Sequence, residues 1–229
     1  MRFIEPLKKA LFLSRLNRFA VLVDLNGIRI TAHLANSGRL KEVLVEGKEV
    51  FLLARNRKER KTAYDMVLVS DCGTLISVDA RLPGDLVAEA LRESKLLPFK
   101  HFNSFRREVT YGKSRLDFQV CNNGAECLIE VKSVTKVFDG TAMFPDAVTS
   151  RGARHLEALM DAANKGMEAA VIFVVQRNDA GGFTPDDNSD PNFGKVFREA
   201  MAEGVKAFAY KCLVTREEVE IENEIPVRF

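Results

Sequence analysis

Residues 115–134 constrain this chain more than any other stretch. They read Arg-Leu-Asp-Phe-Gln-Val-Cys, then Asn-Asn-Gly-Ala, then Glu-Cys-Leu-Ile-Glu-Val-Lys-Ser-Val. Leu116, Phe118 and Val120 alternate with Arg115, Asp117 and Gln119, and Ile129 and Val131 alternate with Leu128, Glu130 and Lys132. This is the period-2 pattern of half-buried strands. Asn123-Gly124 between them is a hairpin signal, because a type I′ turn needs positive φ at both central residues. With that pair as the loop, Asn122 pairs with Ala125, and counting outward sets Asp117 opposite Glu130 and Arg115 opposite Lys132. Carboxylates about 5 Å apart across a ladder repel by roughly 3 kcal/mol at an effective dielectric of about 20. A proton on one of them, a hard cation between them, or neutralisation by Arg115 and Lys132 offsets this. An exposed face striped with mixed charge is the plain reading. Ile129 and Val131 between the charges, with Leu128 beside them, indicate a strand buried deeply enough that its charges need a purpose, which favours a metal.

The chain has 229 residues, 46% of them apolar, enough for one large or two modest domains. Two are expected, 1–80 and 81–229. Residues 1–80 carry 14 Lys and Arg against 9 Asp and Glu, whereas 81–229 carry 20 against 23, so the front unit is the one that faces a polyanion. The cysteines at 72, 121, 127 and 212 form no Cys-x-x-Cys pair and sit mostly in apolar strand patterns, which suits small buried hydrophobes in a reducing compartment and argues against zinc. Arg2, Glu5, Lys8 and Lys9 interrupt any leader-like apolar run, and nothing approaches the roughly 20 apolar residues of a membrane span. The protein reads as cytoplasmic.

Arg18 to Leu25 and Ile28 to Leu34 alternate around Asn26-Gly27, with Phe19, Val21 and Val23 on one face and Ile28 and Ile30 continuing it. Runs at Val50 to Ala54, Ala63 to Ser70 and Thr74 to Asp79 bring the total to five short strands, with a short helical turn near Arg39 to Val43. That pattern fits a small closed or nearly closed barrel of the OB type, an OB-like β-barrel, and another small barrel would give the same pattern; such barrels bind single strands through a basic groove and stacking rings. The basic element is Arg55, Arg57, Lys58, Arg60 and Lys61, followed by Tyr64; a solvated surface loop is the plain alternative. His33 to Arg39 reads as a turn in which Ser37 caps the helical turn after it.

A turn signal at Arg81-Leu82-Pro83-Gly84 marks the seam. Asp85 to Lys95 reads as a helix with Leu86, Ala90, Leu91 and Leu97 inward and Asp85 as cap or first-turn acid. Glu89 and Glu93 share an outer side, where a lone Glu is ordinarily surface. Arg106 to Tyr111 adds a strand to the hairpin, making a meander. Thr149-Ser150 caps a helix from Arg151 to Asn164 that ends at Gly166. Ala153, Leu156, Met160 and Ala163 face the core, and Arg151 and His155 share a different side. That pair suits a phosphate; an ordinary surface imidazole is the equal alternative. Ala169 to Gln176 is a continuous apolar run, as in a buried central strand. Arg177 to Asn192 reads as a polar loop, Asp190-Pro191 opens a helix to about Glu203, and Val205 to Val214 is a strand before an acidic tail. The order is that of a mixed α/β chain with a mixed sheet.

Asp117, twelve intervening residues and Glu130-Val131-Lys132, followed by a helix and a buried strand, look like the nuclease fold whose motif is written PD-(D/E)xK. A wider set of stretches resembles the sugar fermentation stimulation protein A family, in an order covering nearly the whole chain. These are His-x-x-Asn-Ser-Gly-Arg at 33–39, Tyr-Gly-Lys-Ser-Arg-Leu-Asp-Phe at 111–118, Glu-Val-Lys-Ser-Val at 130–134, Phe-Pro-Asp-Ala-Val-Thr-Ser-Arg-Gly-Ala-Arg-His-Leu at 144–156, and Phe-Val-Val-Gln-Arg at 173–177. The resemblance implies an N-terminal OB-like barrel, a C-terminal PD-(D/E)xK nuclease-like domain and DNA binding. It also implies Asp117 and Glu130 as metal ligands, Glu89 as a third carboxylate, and Lys132 as the group that orients or helps deprotonate the attacking water. Mg²⁺, or Mn²⁺, is the expected ion, since oxygen ligands and a retained water shell suit it. Ala35 stands where the family is expected to carry Pro, which removes a rigid turn from that loop.

The function read this way is a Mg²⁺-dependent nuclease that hydrolyses phosphodiester bonds. Its phosphate contacts would come from Arg55, Arg57, Lys58, Arg60, Lys61, Arg115, Arg151 and His155. The alternative is a non-catalytic DNA-binding regulator of sugar metabolism built on the same scaffold. A small-molecule phosphodiesterase fits the basic loop less well. The partners are nucleic acid, DNA first, and no membrane, with a homodimer as an open alternative.

Overall fold

The computed structural model describes residues 1–55 and 61–229. Both Asn-Gly pairs form their turns: φ is 55° and 83° at Asn26 and Gly27, and 46° and 91° at Asn123 and Gly124. These are the positive values a type I′ loop demands. Cys72-Gly73 and Asp139-Gly140 adopt the same signs and close two further hairpins that the sequence reading passes over.

The front unit consists of β1 (Lys8–Asn17), β2 (Ala20–Leu25), β3 (Ile28–His33), β4 (Glu49–Ala54), β5 (Tyr64–Asp71) and β6 (Thr74–Ser77). They pair in the order β3-β2-β1-β4-β5-β6, and a bridge from His33 to Asp65 joins β3 to β5, closing five strands into an OB barrel with β6 outside the ring. β1 has no counterpart in the sequence reading. Its apolar residues lie on both faces, Ala10 and Phe12 buried and Leu11 and Leu16 exposed, so no clean alternation marks it. Val21 and Val23 are buried as expected, but Phe19 is 47% exposed and Ile28 lies outside the core. Near Arg39 to Val43 there is a turn in which Leu40 C=O accepts from Val43 and Leu44 N–H, and no helix for Ser37 to cap. Asn36 shapes that loop instead, its Oδ1 accepting from Gly38 N–H at 2.8 Å.

After the barrel come α1 (Leu82–Arg92), β7 (Ser104–Tyr111), β8 (Ser114–Asn122), β9 (Ala125–Val134), β10 (Lys136–Phe138), β11 (Thr141–Phe144) and α2 (Ser150–Asn164). β12 (Glu168–Val175), β13 (Gly182–Pro185), α3 (Pro191–Ala202), β14 (Lys206–Val214) and β15 (Val219–Ile225) complete the chain. A six-stranded mixed sheet runs β15-β14-β12-β9-β8-β7, parallel at β9–β12 and β12–β14 and antiparallel elsewhere. The apolar β12 lies at its buried centre. β10, β11 and β13 form a small side sheet, so residues 177–192 are not only loop. The acidic tail is β15, an edge strand that buries Val219, Ile221 and Ile225 while Glu222 to Glu224 face solvent. The turn signal at 81–84 is a helix start, with Pro83 in the first turn of α1, where its missing N–H costs nothing. Leu97, expected inward, is exposed.

Apolar burial crosses the boundary between the two units. The cluster under α1 takes Leu86, Phe118, Ile129 and Tyr210 from the α/β unit and Phe51, Leu53, Val67 and Leu68 from the barrel. A second cluster lies between the opposite sheet face and α2 and α3, and a third fills the barrel. The first residues run along the α/β unit, Phe3 N–H donating to Glu217 C=O at 2.8 Å.

Candidate active site

The hairpin keeps the expected register from Asn122↔Ala125 to Phe118↔Ile129, and there the ladder stops. On the other side β7 pairs Arg107 with Phe118 and Val109 with Leu116, omitting Asp117, and Glu108 has φ +53°. Asp117 thus falls out of regular pairing with both neighbours. Its Oδ2 accepts the N–H of Val131 at 2.7 Å, taking the place of the missing backbone acceptor. The chain twists at this point: Phe118 and Val120 pack under α1, whereas Leu116 packs on the α2 side, so they do not share one face as strict alternation implies. Arg115 is not set against Lys132; it is exposed and its guanidinium lies 3.6 Å from Glu108.

Glu130, 3% exposed, points toward α2. Its Oε1 accepts from Lys132 Nζ at 2.7 Å and also contacts His155 Nδ1. Its Oε2 is buried without a partner. Burial alone would raise the Glu130 pKa, but the His155 hydrogen bond and the Lys132 ammonium outweigh it and hold the carboxyl below its usual range. Asp117 moves the other way, pushed up to about 6 by burial and then by the charge of Glu130. The two carboxylates therefore feel each other as the turn register anticipates. His155 is no surface imidazole. It is buried, and its Nε2 receives the Nε–H of exposed Arg151 at 3.3 Å.

Glu89 is not brought to this pair; its carboxylate accepts from the Met1 ammonium at 3.0 Å. Arg55 is paired with buried Asp65 at 2.9 Å. Lys61 is exposed, and Arg57, Lys58 and Arg60 lie outside the described residues. Among the described residues no group of three or more His, Cys, Asp or Glu side chains is arranged to hold a metal ion. A cation here would rest on Asp117 and Glu130 with water completing its shell, the habit of Mg²⁺ rather than of a metal in an all-protein cage. The orphaned Oε2 fits that habit, since a buried acceptor without a donor calls for an ion or a water.

Two cavities open onto the site. One of about 360 Å³ is lined by Asp85, Arg107, Glu108 and Asp117; the other, about 270 Å³, by Lys132, Asp146, Thr149 and Gly38; both include Ala80, Val131 and Ser133. The site is reached from the seam between barrel and α/β unit. Asp146 and Gln176, which sequence reasoning does not single out, hold that seam. Asp146 accepts from Leu40 N–H at 3.1 Å, and a Cβ on Gly38 would lie 2.6 Å from its carboxylate. Gln176 accepts from Ser77 Oγ of the barrel at 3.0 Å and donates to Ser133 Oγ at 2.9 Å. Both lie in the family-like stretches 144–156 and 173–177, the one signal that could have flagged them.

Residues 81–218 match the family described as the sugar fermentation stimulation protein RE domain, and residues 13–78 match the SfsA N-terminal OB domain. The chain is 40% identical over 223 residues to the sugar fermentation stimulation protein homolog of Caldanaerobacter subterraneus subsp. tengcongensis, covering 97% of each. It is 48% identical over 206 residues to the homolog of Moorella thermoacetica, covering 89% of each. Among solved structures it is similar to Pyrococcus furiosus SfsA in complex with Ca²⁺, with a TM-score of 0.91 and 28% identity over 100% of both chains.

Proposed function

The chain belongs to the sugar fermentation stimulation protein family, and from that premise we propose that it is a DNA-binding, Mg²⁺-dependent nuclease acting through Asp117, Glu130 and Lys132. The observation that carries this reading is the buried Oε2 of Glu130, which has no partner although the other oxygen has two. With Asp117 in electrostatic reach of Glu130, a divalent cation would relieve both the orphaned acceptor and the carboxylate repulsion. The similar Pyrococcus furiosus protein is described in complex with Ca²⁺, an ion of the same oxygen-preferring class. The OB domain supports nucleic acid as the polymer bound.

Asp117 and Glu130 would hold Mg²⁺ or Mn²⁺, which supplies Lewis-acid polarisation of a phosphoryl oxygen and a more acidic bound water. Lys132 gives one N–H to Glu130 Oε1 and retains two donors of its ammonium. Those donors would orient a water or a phosphate oxygen on the open side of the hairpin. Arg55, Lys61 and the basic residues between them, with Arg115, would contact phosphates away from the point of cleavage.

The test is incubation of wild type and Glu130→Gln with single- and double-stranded DNA and RNA, in Mg²⁺, Mn²⁺ or chelator, with host nucleases removed. The expected result is metal-dependent cleavage in wild type that is lost in the variant. Salt-sensitive binding without cleavage of any substrate supports the second reading, a non-catalytic regulator. That reading draws on the donors that Lys132 and His155 already supply to Glu130 Oε1.

A further inference from the structure

We propose that Arg151 and His155 are not phosphate grips but positioning residues, which aim Oε2 of Glu130 at the bound cation. The purpose of this arrangement rests on the proposed metal chemistry, while its content rests on hydrogen-bond geometry. Arg151 and His155 are four residues apart on α2 and therefore stack on one side of it. The Arg151 Nε always carries hydrogen, and it lies 3.3 Å from His155 Nε2. Nε2 must accept, so the ring hydrogen is on Nδ1, which donates to Glu130 Oε1. Lys132 donates to the same oxygen from the other side.

Two donors converging on Oε1 fix the rotation of the carboxylate and leave Oε2 with nothing. A carboxylate serving only as counterion in the core would spread its donors over both oxygens, since an unsatisfied buried acceptor is costly. Here the donors are concentrated on Oε1 and Oε2 is left free, while Asp117 lies within electrostatic reach of the same carboxylate. A phosphate, for its part, cannot reach the buried imidazole Nε2 without displacing the Arg151 that already occupies it.

Electrostatics and positioning predict opposite signs for one substitution. Removing a positive charge near a cation site should tighten cation binding by Coulomb's law alone; removing the group that fixes a ligand's orientation should weaken it, typically 10- to 100-fold. The experiment is calorimetric titration of the full chain with Ca²⁺, using wild type, Arg151→Ala, His155→Ala, His155→Gln and Arg154→Ala, with nitrogen NMR of the imidazole. Arg154 is exposed on the same turn of α2 and controls for charge.

The expected result is roughly tenfold weaker Ca²⁺ binding in Arg151→Ala, with no loss in Arg154→Ala. His155→Gln, whose amide can still donate to Oε1, should keep more affinity than His155→Ala. Wild-type His155 should carry its hydrogen on Nδ1, and its Nε2 resonance should shift in Arg151→Ala as the guanidinium donor is lost. The proposal falls if Arg151→Ala binds Ca²⁺ as tightly as wild type or tighter, if the wild-type ring carries hydrogen on Nε2, or if Arg151→Ala changes only the salt slope of oligonucleotide binding. A wild type that binds no Ca²⁺ brings down this proposal, while the nuclease reading stands or falls on Mg²⁺- or Mn²⁺-dependent cleavage. Normal wild-type binding with an unaffected Arg151→Ala brings down this one alone.

Discussion

An aspartate half-buried within reach of a glutamate is uncomfortable as an anion, and this makes Asp117 a pH-dependent weak point. Its folded pKa of about 6 lies above the ordinary 3.8, so the folded state favours the protonated form. The associated stability is fully present below about pH 4 and is lost as pH rises through about 6. Asp117→Asn keeps an acceptor for Val131 N–H without the charge. In chelator it should therefore be more stable than wild type at pH 8, by up to about 3 kcal/mol, and the gain should vanish near pH 4. Urea midpoints across that range check this; a difference independent of pH would remove the buried charge as its cause. The register from Asn122↔Ala125 to Phe118↔Ile129 was legible because two apolar strands and one Asn-Gly turn leave little freedom, and it brings Asp117 within electrostatic reach of Glu130; that the ladder ends one residue short of that pair was not. Nor was the contact of His155 with Glu130. Helical spacing nominated Ala153, Leu156, Met160 and Ala163, but α2 packs against both the sheet and α3, and its buried arc widens to His155, Leu159 and Ala162. Glu89 failed for a related reason: spacing places it on a helix but does not say that the chain's first residue lies against that side.

At the scale of elements, the turn that sets the hairpin register is testable apart from the site. Gly124 has φ +91°, and a Cβ built there meets nothing within 4 Å. Gly124→Ala is therefore a purely conformational change, expected to cost about 1 kcal/mol. Gly27, at φ +83° and equally open, should behave alike in the barrel. Equal denaturation midpoints for wild type and both alanine variants would show that these turns do not select the strand pairing. Elements with strong local punctuation were legible: both Asn-Gly hairpins, the Thr149 cap whose side chain accepts from Gly152 N–H, and the Asp190 cap that accepts from Phe193 N–H. Those whose pattern is set by neighbours were not. β1 carries apolar residues on both faces, β13 is four residues inside a polar stretch, and β15 reads as an acidic tail because an edge strand can leave its middle in water. The twist that moves Leu116 away from Phe118 belongs here too, since it arises from β7 and β8 parting around Asp117 and not from either strand alone.

For the whole molecule the decisive feature is the core that crosses the seam. The charge division and the turn signal at 81–84 suggest two units that meet at a seam, and Phe51 of β4 is buried in the same cluster as Leu86, Phe118 and Ile129. Burial without regard to chain position is what a periodicity argument cannot see, because each strand shows that a face is apolar but not which unit covers it. Phe51→Ala should cost about 3–5 kcal/mol, as truncation of a fully buried aromatic does. If the cluster is a single cooperative core, that loss must reach the α/β unit. Hydrogen exchange should then show the amides of Val21 in the barrel and Val171 in β12 losing protection by similar free energies. Loss at Val21 with Val171 unchanged would mean that the barrel opens alone and the shared cluster is only a contact between independent domains. The distinction matters for the chemistry. Ser133 lines both cavities at the site and is bonded through Gln176 to Ser77 of the barrel, so in a cooperative molecule whatever loosens the barrel also loosens the strand that carries Glu130 and Lys132.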